Sequence, residues 1–391
     1  MSVTVSLAER DAELRAFTHI AEPPPVDDAV PVGPLAGLPV AVKEIIDVAG
    51  MPVTYGSPLF ADRVPDTDAE AVRRLKAAGA VIAGMTTTTP FACGTTTVTR
   101  NPHRLTHTPG GSSAGSGAAV GGGLVPVALA SQSQASTLRP ASYCGAWGYK
   151  PSHLRLPRAG MHLLSDTLDD LGLVAADLDV LEKVLAVLAD DWRPEATPRT
   201  LRVGLVRLDD GDLPRPETLR ALEELVQRLD GDGISFVRTD GLRDLDEQVD
   251  GSGLSCFDIF AGESATVLAE YVAAGEPDPR LREMVDHADP SRLVRALQHR
   301  AALVTAYRVA TVAVDVLLTL STTNPAPGGL ESTGCRRMPA TSSLLGVPAL
   351  SAPWLTVDGL PQGVQLLGRP GGDERLVAAA RALAAREEET R

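Results

Sequence analysis

The sequence predicts an α/β fold, a sheet carrying helices on its faces, and three observations lead there. Short runs rich in β-branched residues alternate with stretches whose apolar side chains recur at spacings of three and four. A Gly/Ser-rich loop at Thr108 to Ser116 runs straight into an apolar helix and strand, which a flexible linker has no reason to do. Finally, 391 residues of which 44% are hydrophobic supply enough material for a large core.

Leu7 to Ile20, LAERDAELRAFTHI, places apolar residues at helical spacing between charges and predicts an amphipathic surface helix, ended by the proline run Pro23 to Pro25. Leu38 to Ile46, LPVAVKEII, predicts a strand that carries one lysine. The chain has only four lysines (Lys43, Lys76, Lys150, Lys183) among 36 basic residues, so arginine fills nearly every basic position. A lysine kept in an apolar strand is therefore a candidate general base, because burial can neutralise a lysine and cannot neutralise an arginine. On the strand alone, a lysine that snorkels or pairs with Glu44 or Asp47 stays open.

Asp66 to Gly79 predicts a helix with Gly79 as its stop, followed by the strand Ala80 to Gly84. Between Thr108 and Pro140, Gly110, Gly111, Gly115 and Gly117 let the backbone approach another group closely. Ala114 to Val120 then starts a helix whose first N–H groups favour developing negative charge near Ser112. Leu124 to Ala130 reads as a short buried strand that delivers SQSQAST to the sheet edge, making Ser112 and Ser136 candidate site residues. Ser165 to Leu188 reads as helical. Leu201 to Val206 and Ile234 to Arg238 read as strands around the helix Pro216 to Leu229, and Leu293 to Leu320 as a long helix whose apolar end turns into a strand.

Net charge −14 argues against nucleic acid or an anionic membrane as partner. No run approaches the roughly 18 apolar residues of a membrane span, and Met1 to Arg15 lacks the layout of a signal peptide, so a soluble cytoplasmic protein is expected. Cys93, Cys144, Cys256 and Cys335 are scattered without a CxxC, which indicates free thiols and neither a zinc site nor a disulfide framework; no cofactor or metal is expected. His103 and His107 precede the glycine loop without an acidic partner or a GxSxG pattern, and read as loop histidines.

The run GGSSAGSGAAV, followed 24 residues after Ser112 by Ser136 in SQSQASTLRPASYCGAWGYKPS, strongly resembles the signature region of the amidase signature family. Gly33 to Ser57 resembles that family's lysine-bearing strand, and PAPGGLESTG, LLGVPALSAP and GLPQGVQLLGRPGGDERLVAAARALA resemble its C-terminal portion. The resemblance implies one α/β domain over residues 1–391 with a mixed central sheet and helices on both faces. Within it fall an N-terminal helix at about 7–20, a signature core at about 33–152, a variable middle at about 201–318 and a family-like segment at about 319–385. The chain is shorter than many members, and the shortfall lies in the middle.

The resemblance also implies a Ser–Ser–Lys triad acting on a small-molecule amide, with Ser136 as nucleophile, Ser112 as bridge after a cis Gly111–Ser112 bond, and Lys43 as base. The backbone N–H groups of Ser133, Gln134, Ala135 and Ser136 would then form the oxyanion hole. An acyltransferase using an amine acceptor, or a silent binding protein of the same fold, is the rival expectation, and a homodimer is left open. Two departures bear on this. Where many members read TDTGGS, this chain reads SQSQAS, so a positive φ required at Gln134 would be strained. Met85 to Gly94 also departs from the usual GKTNTTEFAMG. Arg139, three residues past Ser136 and next to Pro140, is a candidate grip for a substrate carboxylate, or else a structural arginine bonded to carbonyls.

Overall fold

The structure, a computed structural model, describes residues 6–21 and 32–391, so the readings of Met1 to Val5 and of Pro23 to Pro25 lie outside it. The described residues form a single domain built on one mixed sheet of 11 strands. In chain order these are β1 (Phe17–Ile20), β2 (Pro39–Lys43), β3 (Val81–Thr86), β4 (Val127–Gln132), β5 (Trp147–Lys150), β6 (Asp170–Ala175), β7 (Leu201–Leu205), β8 (Ile234–Val237), β9 (Val316–Leu320), β10 (Ala349–Val357) and β11 (Leu360–Leu367). Their order across the sheet is β1-β3-β2-β4-β6-β5-β10-β11-β9-β7-β8. Strand β2 runs parallel to both β3 and β4, and β7 parallel to β8 and β9; the remaining pairs are antiparallel.

Alternation along β2 and β4 decides which helix covers which face, because successive side chains point to opposite sides. Val40, Val42, Val127 and Leu129 join the larger core. That core also holds Leu75 of α2 (Glu70–Ala77), Leu181 of α5 (Leu178–Leu188), Leu225 of α6 (Pro216–Leu229) and Leu383 of α12 (Asp373–Thr390). Ala41, Ala128 and Ala130 face the other way, against Ala118 and Ala119 of α3 (Ala114–Gly121) and Ala141 of α4 (Leu138–Cys144). Alanines there let the helices sit close to the sheet. A Cβ on Gly121 would come within 2.1 Å of the Cys144 carbonyl oxygen, so α3 and α4 touch only because that position is bare. A third apolar cluster lies under α7 (Asp240–Gln248), α8 (Ser252–Ala273), α9 (Pro279–His287), α10 (Pro290–Ala310) and α11 (Arg337–Leu345).

Two readings of the sequence are corrected. Leu7 to Ile20 is not one helix: α1 (Leu7–Asp11) stops, and Phe17–Ile20 becomes edge strand β1, antiparallel to β3. The Asp11 carboxylate causes the break, accepting the N–H groups of Ala16 at 2.8 Å and Phe17 at 3.2 Å and so turning the chain. Ser165 to Leu188 is likewise not all helix. Asp170–Ala175 forms β6 between β4 and β5, and α5 starts only after Asp177, whose side chain accepts the Val180 N–H. Every residue of β6 is buried, so it has no polar face to mark it as a strand. The Leu293 to Leu320 reading holds, with α10 ending at Ala310 and β9 at Val316–Leu320.

Candidate active site

The carboxyl ends of the parallel strands β3, β2 and β4 lie side by side, and the loops leaving them meet there, the usual place for a site in a sheet of this kind. Lys43 is the last residue of β2, two beyond Ala41 and so on the α3 face. It is wholly buried, and its Nζ donates to Ser112 Oγ at 2.7 Å and to Ser131 Oγ at 2.8 Å. Snorkelling is thus excluded, and the candidate partners are engaged elsewhere: Glu44 accepts from Thr54 Oγ1, and Asp47 pairs with Arg63. Burial brings the Lys43 pKa from the ordinary lysine value down to about 7, although Asp169, Cys93 and Glu44 pull it back upward.

Ser112 follows a cis Gly111–Ser112 bond and is buried; its carbonyl accepts the Thr89 N–H at 3.3 Å. Ser113 stitches the two serine loops together. Its N–H donates to Ser136 O, its Oγ to Ser131 O, and that Oγ accepts the Ser131 N–H, all at 3.2 to 3.3 Å. The loop after β4 is tightened by Gln132, whose Oε1 accepts the Thr137 and Leu138 N–H groups at 3.0 Å each while its Nε2 donates to Ser343 Oγ. A neutral carboxamide thereby orders the turn into α4 at a position where many similar sequences carry an acid.

Ser112, Ser133, Gln134, Ala135 and Ser136 share the wall of a cavity of about 220 Å³. The N–H groups of residues 133–136 donate to no described acceptor, whereas those of Thr137, Leu138 and Arg139 are all bonded. Neither Gln134 nor Ala135 has a positive φ, so the strain expected at Gln134 is absent. Ser136 Oγ makes no hydrogen bond to a described residue, so the Lys43–Ser112 pair and Ser136 meet at the cavity without a closed Ser112–Ser136 bond. Such bonds are commonly loose before substrate binds.

Arg139 reaches the cavity wall, but its donors are occupied: Nε and one terminal nitrogen donate to Gly111 O, the other to Gly334 O at 2.6 Å. His103 bonds the Cys144 carbonyl and His107 bonds Thr106, and neither lines this cavity. Sequence reasoning missed Ser131, the second acceptor for Lys43, and Asp169, which accepts from Ser133 Oγ and from the Leu164 and Ser165 N–H groups. Ser131 was findable as a hydroxyl at the end of a buried strand beside the lysine strand; Asp169 sat inside a stretch read as helix. Arg280 and Arg336, also in the lining, carried no sequence signal.

The Amidase family model matches residues 18–377. A glutamyl-tRNA(Gln) amidotransferase subunit of Rhodopirellula baltica is 32% identical over 94% of this chain and 88% of its own length. The protein of that name from Thermus thermophilus is 33% identical over 89% of this chain and 84% of its own. A crystal structure described as an amidase aligns with TM-score 0.84 at 27% identity, covering 97% of this chain and 94% of that one. A structure from a vestigial protein complex tied to the origins of an s-triazine catabolic enzyme aligns with TM-score 0.81 at 26% identity, over 96% and 92%. No helix of the described residues is long and apolar enough to cross a membrane.

Proposed function

This chain belongs to the amidase family, which acts on C–N bonds, and from that premise we propose that it hydrolyses a small amide through an acyl-enzyme on Ser136, with Ser112 as proton bridge and Lys43 as general base. The observation that carries the reading is the buried Lys43 Nζ, 2.7 Å from Ser112 Oγ and opening through it onto the Ser136 cavity. A serine hydroxyl is a weak nucleophile until a neighbour takes its proton, and a lysine with a pKa of about 7 is half neutral at neutral pH.

As Ser136 Oγ bonds the amide carbonyl carbon, its proton passes to Ser112 Oγ and that of Ser112 to Lys43 Nζ. The carbonyl electron pair moves to oxygen, where the unbonded N–H groups of residues 133–136 receive it. On collapse the C–N bond breaks and Lys43, through Ser112, returns the proton to the leaving nitrogen. Water then repeats the sequence on the acyl-enzyme and frees the acid and Ser136. Gln134 Oε1 and Thr89 Oγ1, buried polar atoms without a described partner and both from lining residues, suit the N–H of a bound amide.

Transfer of the acyl group to an amine instead of water is the second reading; the name of the amidotransferase relatives points to a third fate, delivery of the released nitrogen to another acceptor after the same Ser136 ester has formed. All three share the Ser136 ester. Purified protein should release ammonia or amine from a panel of small amides, gain the mass of a fluorophosphonate probe on Ser136, and lose both properties in Ser136→Ala with its thermal transition kept. Absence of labelling and turnover in the wild type would establish a silent protein. Hydroxamate formed faster than free acid in the presence of hydroxylamine would favour transfer.

A further inference from the structure

Three arginines line the cavity, and they are not used alike. The fork of Arg139 is spent on two backbone carbonyls. Arg280, in the first turn of α9, uses its backbone N–H on Asp278 Oδ1 at 2.9 Å, and its guanidinium has no hydrogen-bond or ion-pair partner among the described residues. Arg336, which precedes α11, has none either; its guanidinium lies 4.9 Å from the centroid of the Phe257 ring.

Some arginines elsewhere are matched by carboxylates, as in Arg63–Asp47, Arg74–Glu70 and Arg381–Glu182, while others, such as Arg228 and Arg300, leave a buried Nε without a described partner. What sets Arg280 and Arg336 apart is their place: both line the cavity that holds Ser136, and neither is neutralised there by a carboxylate among the described residues. The two also oppose each other, since burial first and then the charge of Arg280 hold the Arg336 pKa below the usual arginine value. Glu331 is the one carboxylate among the described lining residues; it is exposed and pairs with neither.

We propose that the amide cleaved at Ser136 carries a carboxylate, gripped by Arg280 and Arg336 at the far wall of the cavity while its amide carbonyl lies against Ser136 and the amides of residues 133–136. The proposal rests on the Ser136 reading for its chemistry and on the unmatched guanidiniums for its charge. A planar guanidinium fork fits a carboxylate in two parallel hydrogen bonds, and a cavity of about 220 Å³ suits a short-chain acid amide.

The test separates binding from turnover. In Ser136→Ala, which cannot turn substrate over, calorimetry compares succinamate with succinamide, its neutral isostere. Succinamate should bind at least tenfold more tightly, and adding Arg280→Gln with Arg336→Gln should bring the two ligands level. Should that variant lose its thermal transition, each single Arg→Gln change, expected to cut the preference severalfold, replaces it. Equal affinities, a preference that survives loss of the arginines, or no succinamate binding overturns the proposal. Wild-type turnover is scored apart: discriminating binding without ammonia release would sink the hydrolase reading and leave the anion pocket standing, whereas turnover of neutral amides alone does the reverse.

Discussion

The floor and the far wall of the cavity are built in opposite ways. The floor, Ser112 with Lys43 and Ser131 behind it, consists of strand ends and one adjoining loop, buried, with Lys43 Nζ hydrogen-bonded to both serines. The wall, Arg280 with Glu331 to Arg336, comes from chain far downstream, is partly exposed, and leaves its charges unmatched. A bonded, desolvated floor fixes proton positions and tunes one pKa, which is what bond-making needs. An unmatched wall waits for a ligand, which is what selection needs. Changes to the floor should therefore remove rate, and changes to the wall should alter preference.

The largest effect is expected at Lys43. Both Lys43→Ala and Lys43→Arg should lower kcat/KM by about 10³-fold or more, because arginine stays protonated and cannot serve as base. In the wild type, kcat/KM should level off above about pH 7 and fall roughly tenfold per unit below it, since protonation of Lys43 removes the base. Stability carries the same sign. With a folded pKa of about 7 against an ordinary 10.5, the unfolded chain binds more protons between those values, so stability rises with pH across that window. The thermal midpoint of Lys43→Met should exceed that of wild type most at or below pH 7, and the gap should close toward pH 10.5. A Lys43→Arg enzyme with a tenth of wild-type activity would break the floor's assigned role.

This contrast also explains what the sequence disclosed. Lys43 and Ser112 of the floor were legible because they stand in short runs whose composition is odd for their setting, a lysine in an apolar strand of a lysine-poor chain and a serine among glycines before a helix, whereas Ser131 stood in an ordinary buried strand and was missed. The wall was not legible, because Arg280 and Arg336 are two arginines among many, and only the packing of α9 and α11 on α8 brings them to the cavity. The missed strands β1 and β6 share one cause. Periodicity reports a single polar face, and β6 has none, while β1 is set by an Asp11 turn and by pairing with β3.

Arg139 tests where floor ends and wall begins. Its bonds to Gly111 O and Gly334 O tie the Ser112 loop to the wall segment and place it with the floor. Arg139→Ala would leave those carbonyls without their donor, so a loss of about 2 to 4 kcal/mol in stability is expected. Succinamate and succinamide should lose kcat/KM alike, as the guanidinium is already spent. A loss at least tenfold greater for succinamate would move Arg139 to the wall and restore it as a substrate grip.

The smallest effect belongs to the loop between the two regions, where this chain has Gln134 and Ala135 in place of the glycines of similar sequences. Glycine is needed there only if the amides can point at the oxyanion from a positive φ, and neither residue has one. The backbone is held instead by Gln132 from within and by Ser343 Oγ, which donates to Gln134 O at 3.1 Å. Gln134→Gly with Ala135→Gly should thus leave the four N–H groups where they are, and add only conformational freedom to the unfolded chain, about 0.5 to 1 kcal/mol at each position. The thermal midpoint should fall by about 1 to 4 °C and kcat should stay within roughly twofold of wild type, while KM rises because Gln134 Oε1 no longer meets the bound amide. A tenfold rise in kcat would mean that the present side chains hold the amides off their target, and that the floor of this cavity is tuned below what its own backbone permits.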